Sequence, residues 1–256
     1  MLKLKFNPNL DYQQDAIKAV TDIFEGQVKV EKKHIFQVIP NKLTLEKDAL
    51  LTNLQTVQEN NSLTKSLDFT APLNITLEME TGTGKTYVYL RSILELYQKY
   101  GFSKFIIVVP TVAIKEGVMK SLAITKDHFK GLYNNLSYEY YEYVSTKLMT
   151  VRMFAQSSHL QIMVITKDAF NKDKNIIHNN HDRMGDKPIS LIQKTNPIVI
   201  LDEPQKMGGE ATQWGIKELN PLIVLRYSAT HRDIENLVYK LTPFDAYAKG
   251  LVKKIE

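Results

Sequence analysis

Residues 79–86, Met-Glu-Thr-Gly-Thr-Gly-Lys-Thr, combine the residue types that bind a chain of phosphates. An apolar run precedes them and a helical pattern follows. Gly82 and Gly84 let the backbone curl tightly with its N–H groups turned inward, and the N-terminus of the helix adds a positive dipole end. Lys85 can then reach the β- and γ-phosphates, and the Thr86 hydroxyl can ligate Mg²⁺. The stretch therefore predicts a nucleoside triphosphate site.

The loop departs from the strict glycine-rich pattern at one position, because Met79 stands where the first glycine belongs. The alternative interpretation is a glycine-rich turn with a lysine by chance. The order strand, loop, helix favours the phosphate-binding interpretation. The predicted nucleotide-binding residues of this stretch are Thr81, Gly82, Thr83, Gly84, Lys85 and Thr86.

A pair of carboxylates, Asp202 and Glu203, follows the apolar run 198–201 and precedes Pro204. A phosphate-binding loop needs an acidic element at a neighbouring strand end. Asp202 can hold Mg²⁺, usually through water, and Glu203 can orient the attacking water or take its proton. Adjacent residues can do both only if the chain turns there, which Pro204 favours. The alternative is a solvated Asp-Glu turn. The predicted catalytic residues are Lys85, Asp202 and Glu203, and the predicted metal ligands are Thr86 and Asp202.

The overall composition is that of a globular domain. With 256 residues, 43% hydrophobic and 24% charged, the chain suffices for one large α/β domain or two small ones. A net charge of +5 permits nucleic-acid binding without establishing it. The lack of cysteine excludes disulfides and thiolate zinc sites, and fits the cytoplasm. The apolar runs are too short to span a membrane, so we expect no membrane partner.

Apolar runs and helical patterns alternate from residue 74 onward. Short, continuously apolar strands between helices predict an α/β fold, with a mostly parallel sheet covered by helices on both faces. The predicted strands are 74–79, 104–109, 161–165, 197–201 and 222–226. The predicted helices are 12–24, 45–58, 86–100 and 111–123, the last with Thr111 as its N-cap. The tyrosine-rich stretch 137–143 is interpreted as a strand with aromatic packing, with base stacking as the alternative.

The organisation along the chain suggests three parts. Residues 1–73 are interpreted as an N-terminal segment that includes an elaboration in front of the domain core. Residues 74–230 are interpreted as the nucleotide-binding domain and residues 231–256 as a tail. Residues 171–187 are polar and are interpreted as an exposed loop.

Four motifs together resemble superfamily 2 helicases and translocases. Asp202-Glu203-Pro204-Gln205 is a form of their Asp-Glu-x-x box. Residues 226–230 carry their Ser-Ala-Thr tripeptide directly after a predicted strand. Residues 108–118 resemble the motif that holds nucleic-acid phosphates, and Tyr12-Gln13 resembles the segment that reads adenine. An amide side chain pairs with adenine N6 and N7 in a bidentate manner.

The amino-acid sequences of the motifs are similar to those of one family, the Res subunits of Type III restriction–modification enzymes. The similarity lies in residues 79–86, 109–118, 165–171 and 197–207 and extends over most of residues 6–256. Thr111 and Lys115 stand where serine and arginine are expected, which keeps the hydroxyl and the charge.

The resemblance implies further roles for individual residues. Gln13 would read adenine, Gln205 would sense the γ-phosphate, and Ser228 and Thr230 would couple hydrolysis to motion. The residues expected to contact DNA phosphates are Thr111, Lys115 and Thr166. The alternative for those three is helix capping or surface polarity.

The resemblance also implies the first RecA-like half of a DNA-dependent ATPase within a restriction endonuclease, which uses ATP and Mg²⁺ and acts with DNA and a modification (methyltransferase) subunit. In such motors a second RecA-like domain supplies an arginine finger, and a nuclease domain follows. Since the chain stops at Glu256, we expect neither here, and Glu31-Lys32-Lys33 is interpreted as a chance match to a nuclease motif. The chain alone is expected to be inactive. The alternatives are another superfamily 2 helicase, or a nucleotide-dependent binding module without hydrolysis.

Overall fold

The structure is a computed structural model that describes residues 6–30, 37–180, 187–230 and 233–251. The short segment 31–33 therefore lies outside the described residues, and so does residue 231.

The described residues form one parallel sheet at the centre of the molecule. Its strands are β1 (Leu73–Met79), β2 (Lys104–Val109), β3 (Tyr138–Glu142), β4 (Leu160–Thr166), β5 (Ile198–Asp202), β6 (Ile223–Ser228) and β7 (Leu237–Leu241). They lie in the order β3-β4-β2-β5-β6-β1-β7. Every pair of neighbours is parallel. Because the strands run the same way, their carboxyl ends meet at one edge of the sheet.

Helices cover both faces of this sheet. They are α1 (Asp11–Thr21), α2 (Lys47–Asn60), α3 (Lys85–Tyr100), α4 (Val112–Leu132), α5 (Met149–Gln156), α6 (Pro188–Gln193), α7 (Glu210–Glu218) and α8 (Pro243–Ala248). Within the described part of the chain, none of them has the length and apolar character required to cross a membrane.

The two faces bury separate apolar clusters because successive side chains of a strand point to opposite sides. In β2, Phe105 and Ile107 join the cluster under α1, α3 and α4. Ile106 and Val108 join the cluster under α5, α6 and α7. All four side chains are fully buried. The predicted α/β fold, with a parallel sheet covered on both faces, is confirmed.

The predicted elements exist, and they differ from the structure mainly at their ends. β2 has the predicted bounds. Residues 138–142 form the edge strand β3, where the ring centroids of Tyr138 and Tyr140 lie 6.1 Å apart and Tyr141 packs edge-on against Phe154, which confirms the predicted aromatic packing. The helix predicted to end at residue 123 continues to Leu132. Its buried stripe continues through Thr125 and Phe129 at helical spacing, across exposed residues that hide the pattern. The predicted exposed loop 171–187 is mostly exposed where described, but Ile177 is buried.

The flanking segments share the core of the nucleotide-binding part. Ile17 of α1 and Leu54 of α2 belong to the same apolar cluster as Ile75 of β1. The unpredicted strand β7 pairs with β1 and contributes Val238 to that cluster. The boundaries suggested at residues 73 and 230 therefore do not coincide with a break in packing.

Candidate functional site

The loop between β1 and α3 curls through two glycines in the left-handed region. Gly82 has a φ of 81° and Gly84 a φ of 92°, which other residues rarely adopt. A Cβ on Gly82 would meet nothing within 4 Å, whereas a Cβ on Gly84 would lie 2.5 Å from Gln13 Nε2. Gly84 is thus required for its backbone angle and for the close approach of Gln13.

Lys85, the first residue of α3, reaches back over this loop. Its Nζ donates to the carbonyl of Met79 at 3.2 Å and lies 3.5 Å from Glu203 Oε1. The side chain is 10% exposed. The ammonium is therefore held between the loop and the end of β5, where the phosphates of a nucleotide in the loop would meet it.

Asp202 is the last residue of β5 and is nearly enclosed, with 6% exposure. Its Oδ2 accepts a hydrogen bond from the Tyr89 hydroxyl at 3.3 Å. Burial raises the pKa of Asp202 to about 6, and the negative charge of Glu203 adds to the rise, while the positive charge of Lys85 opposes it.

Glu203 turns the chain sharply, as predicted for the residue before Pro204. It has a φ of 60° and a ψ of 56°, and its N–H donates to the Tyr227 carbonyl at 3.0 Å. The turn sends the neighbouring carboxylates to different partners, with Asp202 near Tyr89 and Glu203 near Lys85.

The side chain of Gln205 connects Glu203 to the end of β6. Its Nε2 donates to Glu203 Oε2 at 2.5 Å, and its Oε1 accepts from Ser228 Oγ at 2.7 Å. Ser228 Oγ in turn accepts from the backbone N–H of Thr230 at 3.1 Å. The glutamine and the Ser-Ala-Thr tripeptide are thus brought together with the carboxylate of Glu203.

Gln13 is buried against the loop between β1 and α3. Its Nε2 donates to the Thr83 carbonyl at 3.0 Å and lies 3.2 Å from the Tyr12 hydroxyl, which itself donates to Thr83 O at 3.1 Å. Because the amide nitrogen is already engaged, bidentate pairing with adenine would require it to exchange one of these partners. The adenine-reading role stays a prediction.

The three residues expected to contact DNA lie on the same edge of the sheet, on the side of β2 and β4. The Thr111 hydroxyl accepts from the Ile114 N–H at 3.3 Å and caps α4. Lys115 Nζ forms a 2.7 Å ion pair with Glu142 Oε2 and lines a cavity of about 520 Å³. Thr166 is the half-buried last residue of β4. Two of the three thus have intramolecular partners.

Tyr89 and Lys167 are site residues that the sequence-based prediction missed. Tyr89 touches Asp202, and Lys167 Nζ donates to the carbonyl of Lys206 at 3.1 Å, which ties the end of β4 to the segment after Glu203. The spacing of Tyr89 from Thr86 places both on one helical face, so a search along α3 could have found it.

The residues at the site fit Mg²⁺ bound together with a nucleotide. Thr86 and Asp202 offer hydroxyl and carboxylate oxygens, the ligands this ion prefers. Within the described ranges, no cluster of three or more His, Asp or Glu could hold a metal ion by itself. Mg²⁺ is usually bound by one or two carboxylates together with substrate phosphates and water, so this small donor set fits the ion.

Comparison with known proteins identifies the family. The family model described as "Type III restriction enzyme, res subunit" matches residues 7–233. The chain belongs to this family. Its relatives include the EcoPI Res subunit of Escherichia phage P1, 33% identical over 98% of this chain and 28% of that one. The EcoP15I Res subunit of Escherichia coli is 31% identical over 96% of this chain and 28% of the relative. The chain thus spans about 28% of the length of these relatives.

Among solved structures, this family member is similar to a nuclease-deletion mutant of the Type ISP restriction–modification enzyme LlaGI in complex with a DNA substrate mimic. The two are 14% identical with a TM-score of 0.47, over 82% of this chain and 21% of that one.

Proposed function

We propose that this chain is the ATP-binding first motor domain of a Type III restriction enzyme, where it forms half of a DNA-dependent ATPase. The main support is the meeting of three chain segments at one edge of the sheet. Lys85 from the phosphate-binding loop lies 3.5 Å from Glu203 after β5, and Gln205 links that carboxylate to Ser228 at the end of β6. A generic phosphate-binding loop would not require this linkage.

The proposed chemistry assigns each group one task. Lys85 and the backbone N–H groups of the loop bind the phosphates, and Thr86 and Asp202 hold Mg²⁺. Mg²⁺ held there would neutralise negative charge on the phosphates. When phosphates occupy the loop, the Lys85 ammonium turns to them and releases the Glu203 carboxylate from its ion pair. Glu203 is then available to orient the attacking water or accept its proton.

Gln205 is the proposed sensor of this change. Its amide contacts both the Glu203 carboxylate and the Ser228 hydroxyl, so a movement of Glu203 toward the water shifts the hydrogen bonds at the end of β6. Ser228 and Thr230 would pass the nucleotide state to another part of the motor. Gln13 would read adenine after its amide exchanges a partner.

DNA and a modification (methyltransferase) subunit are the proposed partners, on the basis of family membership. Thr111, Lys115 and Thr166 would contact the DNA backbone, with Lys115 exchanging the Glu142 carboxylate for a phosphate. A second RecA-like domain with an arginine finger, and DNA cleavage by a nuclease domain, would belong to the whole enzyme. The proposed location is the cytoplasm.

Replacement of Lys85 tests the nucleotide site. In equilibrium titrations with ATP and Mg²⁺, Lys85→Ala is expected to weaken binding by about 10-fold or more, because it removes charge-assisted hydrogen bonds to phosphate worth about 1.5–3 kcal/mol. The control is Lys99→Ala, at the far end of α3, where the half-exposed ammonium lies 3.9 Å from Glu95. Equal affinities of the two variants would contradict the proposal.

A hydrolysis assay separates the motor from the alternative, a binding module that never turns ATP over. A polypeptide of residues 1–256 is expected to bind ATP and hydrolyse it negligibly, because the arginine finger is expected from a second domain. Turnover near 1 s⁻¹ by this polypeptide would contradict that.

In the whole enzyme, Glu203→Gln is expected to abolish DNA-stimulated hydrolysis and leave ATP binding intact. A whole enzyme that binds ATP without hydrolysis would favour the module.

A further inference from the structure

Tyr89 brings a buried hydroxyl to one of the two residues proposed to hold Mg²⁺. It lies on α3, one turn after the other residue, Thr86, and its side chain is fully buried. The hydroxyl donates to Asp202 Oδ2 at 3.3 Å. A buried side chain of the helix that follows the loop therefore contacts a proposed metal ligand directly.

The direction of this hydrogen bond follows from the protons available. An ionised carboxylate only accepts, so the single phenolic proton of Tyr89 points to Asp202 Oδ2. The bond engages one carboxylate oxygen and leaves the other, Oδ1, outside the contact with Tyr89. A carboxylate oxygen is a ligand that Mg²⁺ prefers.

The ring of Tyr89 is held in place by its neighbours. It packs edge-on against Tyr227, with ring centroids 5.6 Å apart and an interplanar angle of 63°. Tyr227 is also fully buried, and its hydroxyl donates to Ser92 Oγ at 3.3 Å, away from Asp202. The packing fixes the Tyr89 hydroxyl, because neither ring has space to rotate freely.

We propose that Tyr89 is a positioning residue for Mg²⁺, which holds the Asp202 carboxylate in the orientation required of a ligand of the ion. This inference rests on the proposed function and adds to it a residue that the phosphate-binding and carboxylate motifs do not contain. Partners that orient metal ligands in this way typically contribute about 10- to 100-fold to metal affinity.

The test compares Tyr89→Phe with Tyr227→Phe in the 256-residue chain. Each removes one fully buried hydroxyl from the same pair of rings, and only the first touches Asp202. ATP affinity is measured with Mg²⁺ and with EDTA, and the ratio of the two affinities gives the benefit from the metal. Tyr89→Phe is expected to reduce this ratio by about 10-fold or more with the EDTA affinity unchanged. Tyr227→Phe is expected to keep the wild-type ratio.

Three outcomes would overturn the inference: an unchanged ratio in Tyr89→Phe, an equal reduction in both variants, or an equal loss of affinity with and without Mg²⁺. A wild-type chain that binds no ATP would instead overturn the proposed function itself.

If Tyr89→Phe does not fold, site-specific 3-fluorotyrosine keeps the hydroxyl and reports on its surroundings by ¹⁹F resonance. Addition of Mg²⁺ to the ATP complex is expected to shift the signal at position 89 and not at position 227. The reverse pattern, or no shift at either position, would overturn the inference.

Discussion

Glu203 and Gly84 both adopt positive φ angles, for different reasons. Glu203 carries a side chain in the left-handed region, which costs on the order of 1–2 kcal/mol and points its carboxylate toward Lys85 while Asp202 points toward Tyr89. Gly84 needs no such strain, because it lacks a Cβ, and its hydrogen atoms leave room for Gln13. At Glu203 the strained backbone separates two carboxylates. At Gly84 the absence of a Cβ avoids strain and lets Gln13 contact the loop.

Substitution of Gly84 is predicted to destabilise the chain more than substitution of Gly82. Both glycines have positive φ, so each alanine variant should lose about 1–2 kcal/mol of unfolding free energy from backbone strain. Gly84→Ala also displaces the Gln13 amide, which lies 2.5 Å from the new Cβ, and breaks its bond to Thr83. We expect about 1 kcal/mol of additional loss for that hydrogen bond, measured by urea unfolding.

A double-mutant cycle isolates the contact with Gln13. In a Gln13→Ala background the difference between Gly84→Ala and Gly82→Ala should shrink, since the displaced amide is gone. The same difference in both backgrounds would show that Gln13 plays no part in the requirement for Gly84.

At the scale of elements, α4 combines a structural task with its proposed role in DNA contact. Thr111 caps its first turn, and Lys115, one turn later, pairs with Glu142 at the end of β3. The buried stripe, which includes Val118, Leu122 and Phe129, holds the helix on the sheet. The helix therefore presents its N-terminal turn at the carboxyl edge, next to the cavity lined by Lys115.

Loss of the Thr111 hydroxyl is predicted to cost stability even without DNA. Thr111→Ala removes the acceptor for the Ile114 N–H, so the unfolding free energy should fall by about 1 kcal/mol. Thr111→Ser keeps the oxygen and should stay within a few tenths of a kcal/mol of wild type. Denaturant unfolding of the three proteins measures both values. Equal stabilities of the alanine variant and wild type would mean that the cap contributes nothing.

At the scale of the whole molecule, distant parts of the chain complete one core. Gln58 of α2 and Asn61, which follows the last residue of α2, donate to the carbonyls of Leu237 and Val238 in β7, at 3.1 and 2.9 Å. β7 in turn lies beside β1, which leads into the phosphate-binding loop. The segments before and after the nucleotide-binding part thus stabilise each other through side chain–backbone hydrogen bonds.

A polypeptide of residues 74–230 is therefore predicted not to fold cooperatively. It would expose the core face that Ile17, Val20 and Leu54 cover, and each such side chain contributes about 1.5–3 kcal/mol when buried. The sum over the lost segments exceeds the total stability of about 5–15 kcal/mol that is usual for a domain. Calorimetry should show one transition for residues 6–251 and none for 74–230. A cooperative transition of the shorter polypeptide would instead support a domain boundary at residues 73 and 230.

Much of the site could be predicted because its signals are local. The curled loop between β1 and α3 depends on the spacing of Gly82, Gly84 and Lys85, and the turn at Glu203 depends on the proline that follows it. β2 was predicted at its true bounds because an unbroken apolar run between breakers admits few alternatives. β7 was not predicted, because Lys240 interrupts its short apolar run. The Lys240 side chain faces outward and pairs with Glu78.

The sequence by itself determined the glycine-rich loop, the acidic strand end and the alternation of strands and helices, because each is encoded within a few neighbouring residues. Only the tertiary structure decided which groups meet. The bond from Gln13 to Thr83 joins residues 70 apart, and the bond from Tyr89 to Asp202 joins residues 113 apart. The pairing of Lys115 with Glu142 depends in the same way on the alignment of α4 with the edge strand. Such contacts depend on the register of the sheet and on how helices pack upon it, which no local spacing specifies.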